Sequence, residues 1–197
     1  MCPNPGVKRK RLKLDDIPKY EALVNALKRA QKKWKKRPRD LALVAALVFT
    51  GARISEIIEL KLGSIDFEHR TVTITQLKKR CMFKRIIPIP SNLFWQIIRN
   101  YVNTLPFVNP EEKLFSISVR QARNIVYEFS ERFLGRRIRP HAIRHSYAVF
   151  VLKNTRDLEA VRRLLGHSDY KWLKQYLDYT QEDLKTRLEE AFTSLEL

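Results

Sequence analysis

Cysteine is scarce: Cys2 and Cys81 are the only two in 197 residues. A disulfide framework is not indicated, and so few thiols fit a reducing cytoplasm. Glycine is scarce too, five in all, and no glycine-rich loop that could cradle a phosphate is present. No apolar run reaches the about 18 residues that a membrane span requires. The opening "MCPNPGVKRKRLKLDD" lacks the apolar centre of a signal peptide. Internal repeats and long linkers are absent. Carboxylates are thinly scattered, with no Asp/Glu/His ligand pattern, which argues against a two-metal nuclease. The acidic shortfall is the largest: 21 Asp and Glu against 39 Lys and Arg give a net charge of +18.

Such an excess opposes compaction unless a polyanion is the partner, and nucleic acid is the leading candidate. What remains is ordinary. Hydrophobic residues make up 44%, enough for a packed core. The length suits one large domain, or one domain with a small extension.

Residues 1–14 are rich in Pro and Lys/Arg and read as a flexible basic arm, with Lys8, Arg9, Lys10 and Arg11 suited to touching phosphates. Asp15 or Asp16 can cap a first helix with Pro18 in its first turn, and Ile17, Tyr20, Val24, Leu27 and Ala30 recur at helical spacing. Asp40 opens a second helix, "LALVAALVFT", apolar nearly all round and therefore central. Gly51 interrupts it, and "ARISEIIELK" reads as a third. "TVTITQ" (71–76) and "KRIIPIP" (84–90) are β runs joined by a basic tip, "LKKRCMF". Pro88 and Pro90 put the second run at a sheet edge. Helices follow at about 92–104, 118–134, 141–154, 156–165, 169–178 and 181–194, with Gly135 and Gly166 at helix ends. The fold class is mostly α with a small antiparallel β-sheet, an α+β arrangement.

Four stretches hold polar side chains that could do chemistry. In "TGARISE" (50–56), Arg53 and Glu56 lie three apart on one helical face; alone, they are an ordinary surface pair. In "RPHAIRHSYAVF" (139–150), His141 and Arg144 share a face at a helix start. Two cations there call for an anion between them. Taken singly, His141 is a helix-start imidazole satisfied by backbone and Arg144 a solvated charge. His145 points elsewhere and reads as a buried structural histidine. In "LLGHSDY" (164–170), His167 sits in the turn after Gly166, where a lone histidine usually does nothing. In "KQYLDYT", Tyr176 and Tyr179 would usually be core or rim.

Together, in this order, these stretches resemble the tyrosine recombinase (phage integrase) family. "TGARISEIIELK", the paired "TVTITQ…KRIIPIP" strands, "RPHAIRHSYAV" and "LLGHSDYKWLKQY" carry the resemblance, over roughly residues 15–190. Tyr176 stands nine residues after His167, the spacing of that family, and Tyr179 does not. The resemblance implies that fold, and a site-specific recombinase or integrase that cleaves and rejoins DNA through a 3′-phosphotyrosine, without cofactor or metal. Tyr176 would be the nucleophile, with Tyr179 the alternative. Arg53 and Arg144 would grip the phosphate, His141 would be the general base, and His167 would hydrogen-bond the phosphate. Glu56 and His145 would support them.

The family takes its general acid from a lysine in the strand–strand turn. Lys78 is the best match, Lys79 second and Lys84 last; Lys79 and Arg80 are also placed to contact DNA. Partners would be double-stranded DNA and further copies of the chain, monomeric when free and tetrameric on DNA, with no membrane. The implied place is the cytoplasm, on the nucleoid. A catalytic domain would span 15–180. A C-terminal helix, 181–197, would be passed to a neighbouring subunit. Most members carry a further helical domain before the catalytic one, whereas here only the basic arm precedes the first expected helix. A type IB topoisomerase-like nicking-closing enzyme and a non-catalytic DNA-binding protein are the alternatives.

Overall fold

The computed structural model describes residues 17–78, 81–107, 109–166 and 192–193. Its elements run in the order α1 (Tyr20–Lys33), α2 (Pro38–Thr50), α3 (Ile54–Ile58), β1 (Ile65–Asp66), β2 (Thr71–Lys78), β3 (Cys81–Pro88), α4 (Asn92–Val102), α5 (Val119–Leu134), α6 (Pro140–Thr155) and α7 (Leu158–Leu165). The expected mostly helical α+β class is what is found.

Helix α2 is the hub. Every residue from Asp40 to Thr50 is buried, and α1, α4, α5 and α6 pack around it. Its sequence has no polar stripe to offer solvent, so only a central place satisfies it. α1 presents Leu23, Ala26, Leu27 and Ala30 to the core at three- and four-residue spacing. Trp34 follows, edge-on to Phe129 at 5.9 Å and to Phe133 at 5.5 Å. Burying each large side chain contributes about 1.5–3 kcal/mol.

The sheet is antiparallel in the order β1-β2-β3. Val72 faces Ile87 and Ile74 faces Arg85 across the β2–β3 ladder. Val72, Ile74 and Ile87 are fully buried, while Ile86, one residue along, is 66% exposed. That alternation is the period of two of a half-buried strand. β3 is the edge, as its prolines imply.

Several expected boundaries are corrected. Lys19 precedes α1 in extended conformation, so Pro18 lies outside the helix rather than in its first turn. α2 begins at Pro38, with Asp40 in its first turn rather than at its opening. The third helix is five residues long. Both strands are longer than their β-branched cores, because pairing continues to Lys78 opposite Cys81. The tip is therefore shorter than "LKKRCMF", and Lys78 is a strand residue. β1 had no expectation in the sequence. The basic arm with Lys8, Arg9, Lys10 and Arg11, the tip residues Lys79 and Arg80, and the expected helix at 169–178 fall outside the described residues. So does the helix at 181–194, except for the helical Phe192 and Thr193. Among the described residues no helix is long and apolar enough to cross a membrane.

Candidate active site

Three elements, β2, β3 and α6, converge on the C-terminus of α7. Helix α2 ends at Gly51, whose φ of 59° is left-handed, a conformation glycine adopts without strain. Thr50 holds the turn: its hydroxyl donates to Ala46 O at 2.6 Å and accepts from Ala52 N at 3.1 Å. The chain then reverses into α3 with Arg53 as its N-cap residue. Glu56, three residues on, accepts from the Arg53 N–H at 2.9 Å and from Arg53 Nη1 at 2.9 Å. The first bond is the returning half of a capping box, and the second fixes the guanidinium. The Arg53 side chain stays 39% exposed while Glu56 is buried at 6%, so the cation is held from below and presented outward.

Arg144 is not the solvated charge that it reads as when taken singly. The residue is 3% exposed. Its Nη1 donates to Gly51 O at 2.8 Å and its Nη2 to Leu165 O at 2.8 Å. One guanidinium thus ties the end of α2 to the end of α7, a use of its planar fork that lysine cannot copy. Gly51 is doubly constrained, because a Cβ built there would lie 2.3 Å from Tyr147 Cδ1. Gly51→Ala is therefore expected to cost about 2 kcal/mol or more through strain and clash. Chemical denaturation checks this; an unchanged midpoint would refute the packing described.

His141 lies in the first turn of α6 and is exposed. Its ring meets that of His145 edge-on at 4.4 Å. The surrounding protein mass, then the charges of Arg144 and Arg53, hold the imidazole below its ordinary pKa. It is thus neutral at neutral pH and able to accept a proton. His145 is buried at 6%, in line with its expected structural place.

Two residues of the cluster had no place in the sequence reading. Arg85 on β3 donates through Nη2 to Glu56 Oε2 at 2.6 Å and through Nε to Leu164 O at 2.9 Å. Gln76 on β2, in the amide orientation that matches donors to acceptors, accepts from Arg53 Nη1 at 2.8 Å and donates to Gly166 O at 3.3 Å. Both interrupt the core-facing alternation of the sheet (Val72, Ile74, Gln76; Arg85, Ile87), the one signal that could have flagged them. Burial pushes Glu56 up, but hydrogen bonds and charge from Arg85, then Arg53, outweigh it and hold its pKa below the ordinary carboxylate range.

Of the candidate acids, position 78 shares the strand register of Gln76 and Ile74, whereas Lys84 shares that of the exposed Ile86 and pairs with Thr75. Lys79, Arg80, His167, Tyr176 and Tyr179 lie outside the described residues; His167 follows Gly166 directly in sequence. Among the described residues no group of three or more His, Cys, Asp or Glu side chains could hold a metal ion.

The model of the phage integrase family matches residues 16–183. A tyrosine recombinase XerA of Thermococcus onnurineus is 31% identical over 162 residues, covering 79% of this chain and 56% of its own. A tyrosine recombinase of Pseudothermotoga lettingae is 28% identical over 153 residues, covering 75% and 52%. The chain spans about half the length of these curated relatives. Among solved structures, a XerA recombinase superposes with a TM-score of 0.68 at 19% identity, over 95% of this chain and 66% of that one. A XerH site-specific recombinase bound to its difH substrate, in a pre-cleavage complex, also gives 0.68, at 21% identity over 89% and 54%. These two show a shared fold.

Proposed function

The chain belongs to the phage integrase family, and on that premise we propose that it is a site-specific DNA recombinase that cuts and rejoins strands through Tyr176. The observation that carries the reading is the cluster itself: an outward-facing Arg53, a doubly anchored Arg144 and a neutral His141 around one helix end. A phosphodiester under attack gains negative charge on its non-bridging oxygens. Fixed guanidiniums aimed at that charge are worth about 3–4 kcal/mol each by analogy with oxyanion holes.

A phenol has a pKa near 10 and needs help losing its proton. In this reading His141 takes that proton as the Tyr176 oxygen attacks phosphorus. The bond to the 5′ oxygen breaks, and Lys78 protonates that oxygen as it leaves. His167 hydrogen-bonds the phosphate. The product is a 3′-phosphotyrosine and a free 5′-OH. Attack by a new 5′-OH, with the protons moving back, rejoins the strand, so the bond energy is kept and no nucleotide cofactor is consumed. The partners are double-stranded DNA and further copies of the chain, four on a recombining site and one when free.

The test is covalent capture. A pool of nicked duplexes with randomised sequence loses a short product on cleavage, which traps the intermediate. The reading predicts a protein–DNA complex that survives denaturation; its absence from every duplex would contradict it. A pH dependence follows as well. The lowered pKa of His141 keeps it basic at neutral pH, and activity is lost as pH falls through that folded-state value. The acid limb of kcat/KM, which reports the free protein, should therefore have its midpoint below about 6.5. His141→Gln should remove that limb, and a midpoint above the ordinary value would exclude His141 as the base.

A further inference from the structure

Helix C-termini leave their last carbonyls without partners inside the helix, and water usually satisfies them. At the end of α7 three successive carbonyls instead meet side chains from three other elements. Leu164 O accepts from Arg85 on β3, Leu165 O from Arg144 on α6, and Gly166 O from Gln76 on β2. Two of the three donors are cations, which the negative end of the helix favours. The same Arg85 and Gln76 also reach the support of Arg53, one through Glu56 and the other directly.

The charges add a second point. Glu56 touches two cations, Arg53 at 2.9 Å and Arg85 at 2.6 Å. The Arg85 side chain is 11% exposed and Glu56 6%, so this pair is shielded from water, while Arg53 is not. A buried ion pair adds little net stability over an apolar replacement. Its consequence here is electrostatic: Arg85 balances Glu56, and the positive charge of Arg53 is left for an anion. Without Arg85, the buried carboxylate would be balanced by Arg53 alone.

We propose that Arg85, with Gln76 beside it, is a positioning residue for strand cleavage: it neutralises Glu56 so that Arg53 can act on the phosphate, and it locks the α7 C-terminus from which the chain enters His167. The inference rests on the cleavage reading above.

The experiment uses the full chain, a nicked duplex that the wild type captures, and three measurements: the single-turnover cleavage rate, the DNA dissociation constant and the melting temperature. Arg85→Gln should slow cleavage about 10- to 100-fold, by analogy with the partners that orient ligands in metal sites. The dissociation constant should move less than about threefold, because a chain of net charge +18 has many other cations to offer phosphates. Adding Glu56→Gln to Arg85→Gln removes the unbalanced carboxylate and should recover part of the rate, a coupling that lost packing alone would not give. The proposal is overturned if Arg85→Gln cleaves at the wild-type rate, if affinity falls in step with rate, or if the double variant is no faster than the single one. Should Arg85→Gln fail to fold, the likewise uncharged Arg85→Met, singly and with Glu56→Gln, is judged by the same three criteria. If the wild type captures no duplex, the cleavage reading itself fails and this inference falls with it; if it does, the variants alone decide.

Discussion

Tyr176→Phe is expected to abolish covalent attachment to DNA while leaving DNA affinity unchanged. The substitution removes one hydroxyl and keeps the ring, so packing and charge are untouched and only the nucleophile is lost. Tyr147, Tyr101 and Tyr20 are not ready substitutes. Burial pushes Tyr147 up to about 12, with Arg85 pulling the other way. Burial likewise raises Tyr101 and Tyr20. Ionising any of them at neutral pH is harder than for an exposed phenol. Tyr179→Phe serves as the control and should be mild. Denaturing electrophoresis of the captured complex checks both variants, and an undiminished adduct with Tyr176→Phe would remove Tyr176 from the chemistry.

The second large effect separates the two arginines. Arg53→Ala and Arg144→Ala should each slow cleavage at least about 100-fold, the cost of losing a fixed donor to developing charge. Their structural costs should differ. Arg53 is half open to solvent and its loss leaves α2 and α7 tied, so its melting temperature should stay near that of the wild type. Arg144 is buried between Gly51 O and Leu165 O. Its removal orphans both carbonyls, at about 1–3 kcal/mol apiece. Arg144→Ala should therefore be slower and also clearly less stable, as read by single-turnover kinetics beside thermal melting. Equal stability of the two variants would contradict the role given to the Arg144 fork, and near-normal cleavage by either would exclude that residue from the site.

How much of this was legible in the sequence depended on the range of the interaction. Gly51, Gly135 and Gly166 end helices in left-handed conformation, as local backbone physics implies. The central place of α2 followed from its lack of a polar face, and the Arg53–Glu56 contact from a three-residue spacing. The start of α1 was not legible, because no side chain caps it and Lys19 simply stays extended. Nor was the length of the strands: Lys78 and Cys81 are not strand formers by type, and pairing across the ladder carries them.

The site shows the same division. Arg144 looks like a surface charge until α2 and α7 close over it, from partners 93 and 21 residues away. Arg85 and Gln76 draw their meaning from contacts that no local pattern encodes, and only their polar character on a core-facing register marked them. The order Arg53, hairpin, His141, Arg144, His167, Tyr176 was legible as a family resemblance, and the family match bears out that resemblance.

The central claim is that one tyrosine of this chain becomes joined to the 3′ end of a cut DNA strand. Protease digestion of the captured complex, followed by mass spectrometry of the DNA-linked peptide, reads that bond directly. The account predicts a peptide joined through Tyr176 to a 3′-phosphate, with a free 5′-OH on the released strand. A link through Tyr179 or any other residue, or to a 5′-phosphate, would contradict it.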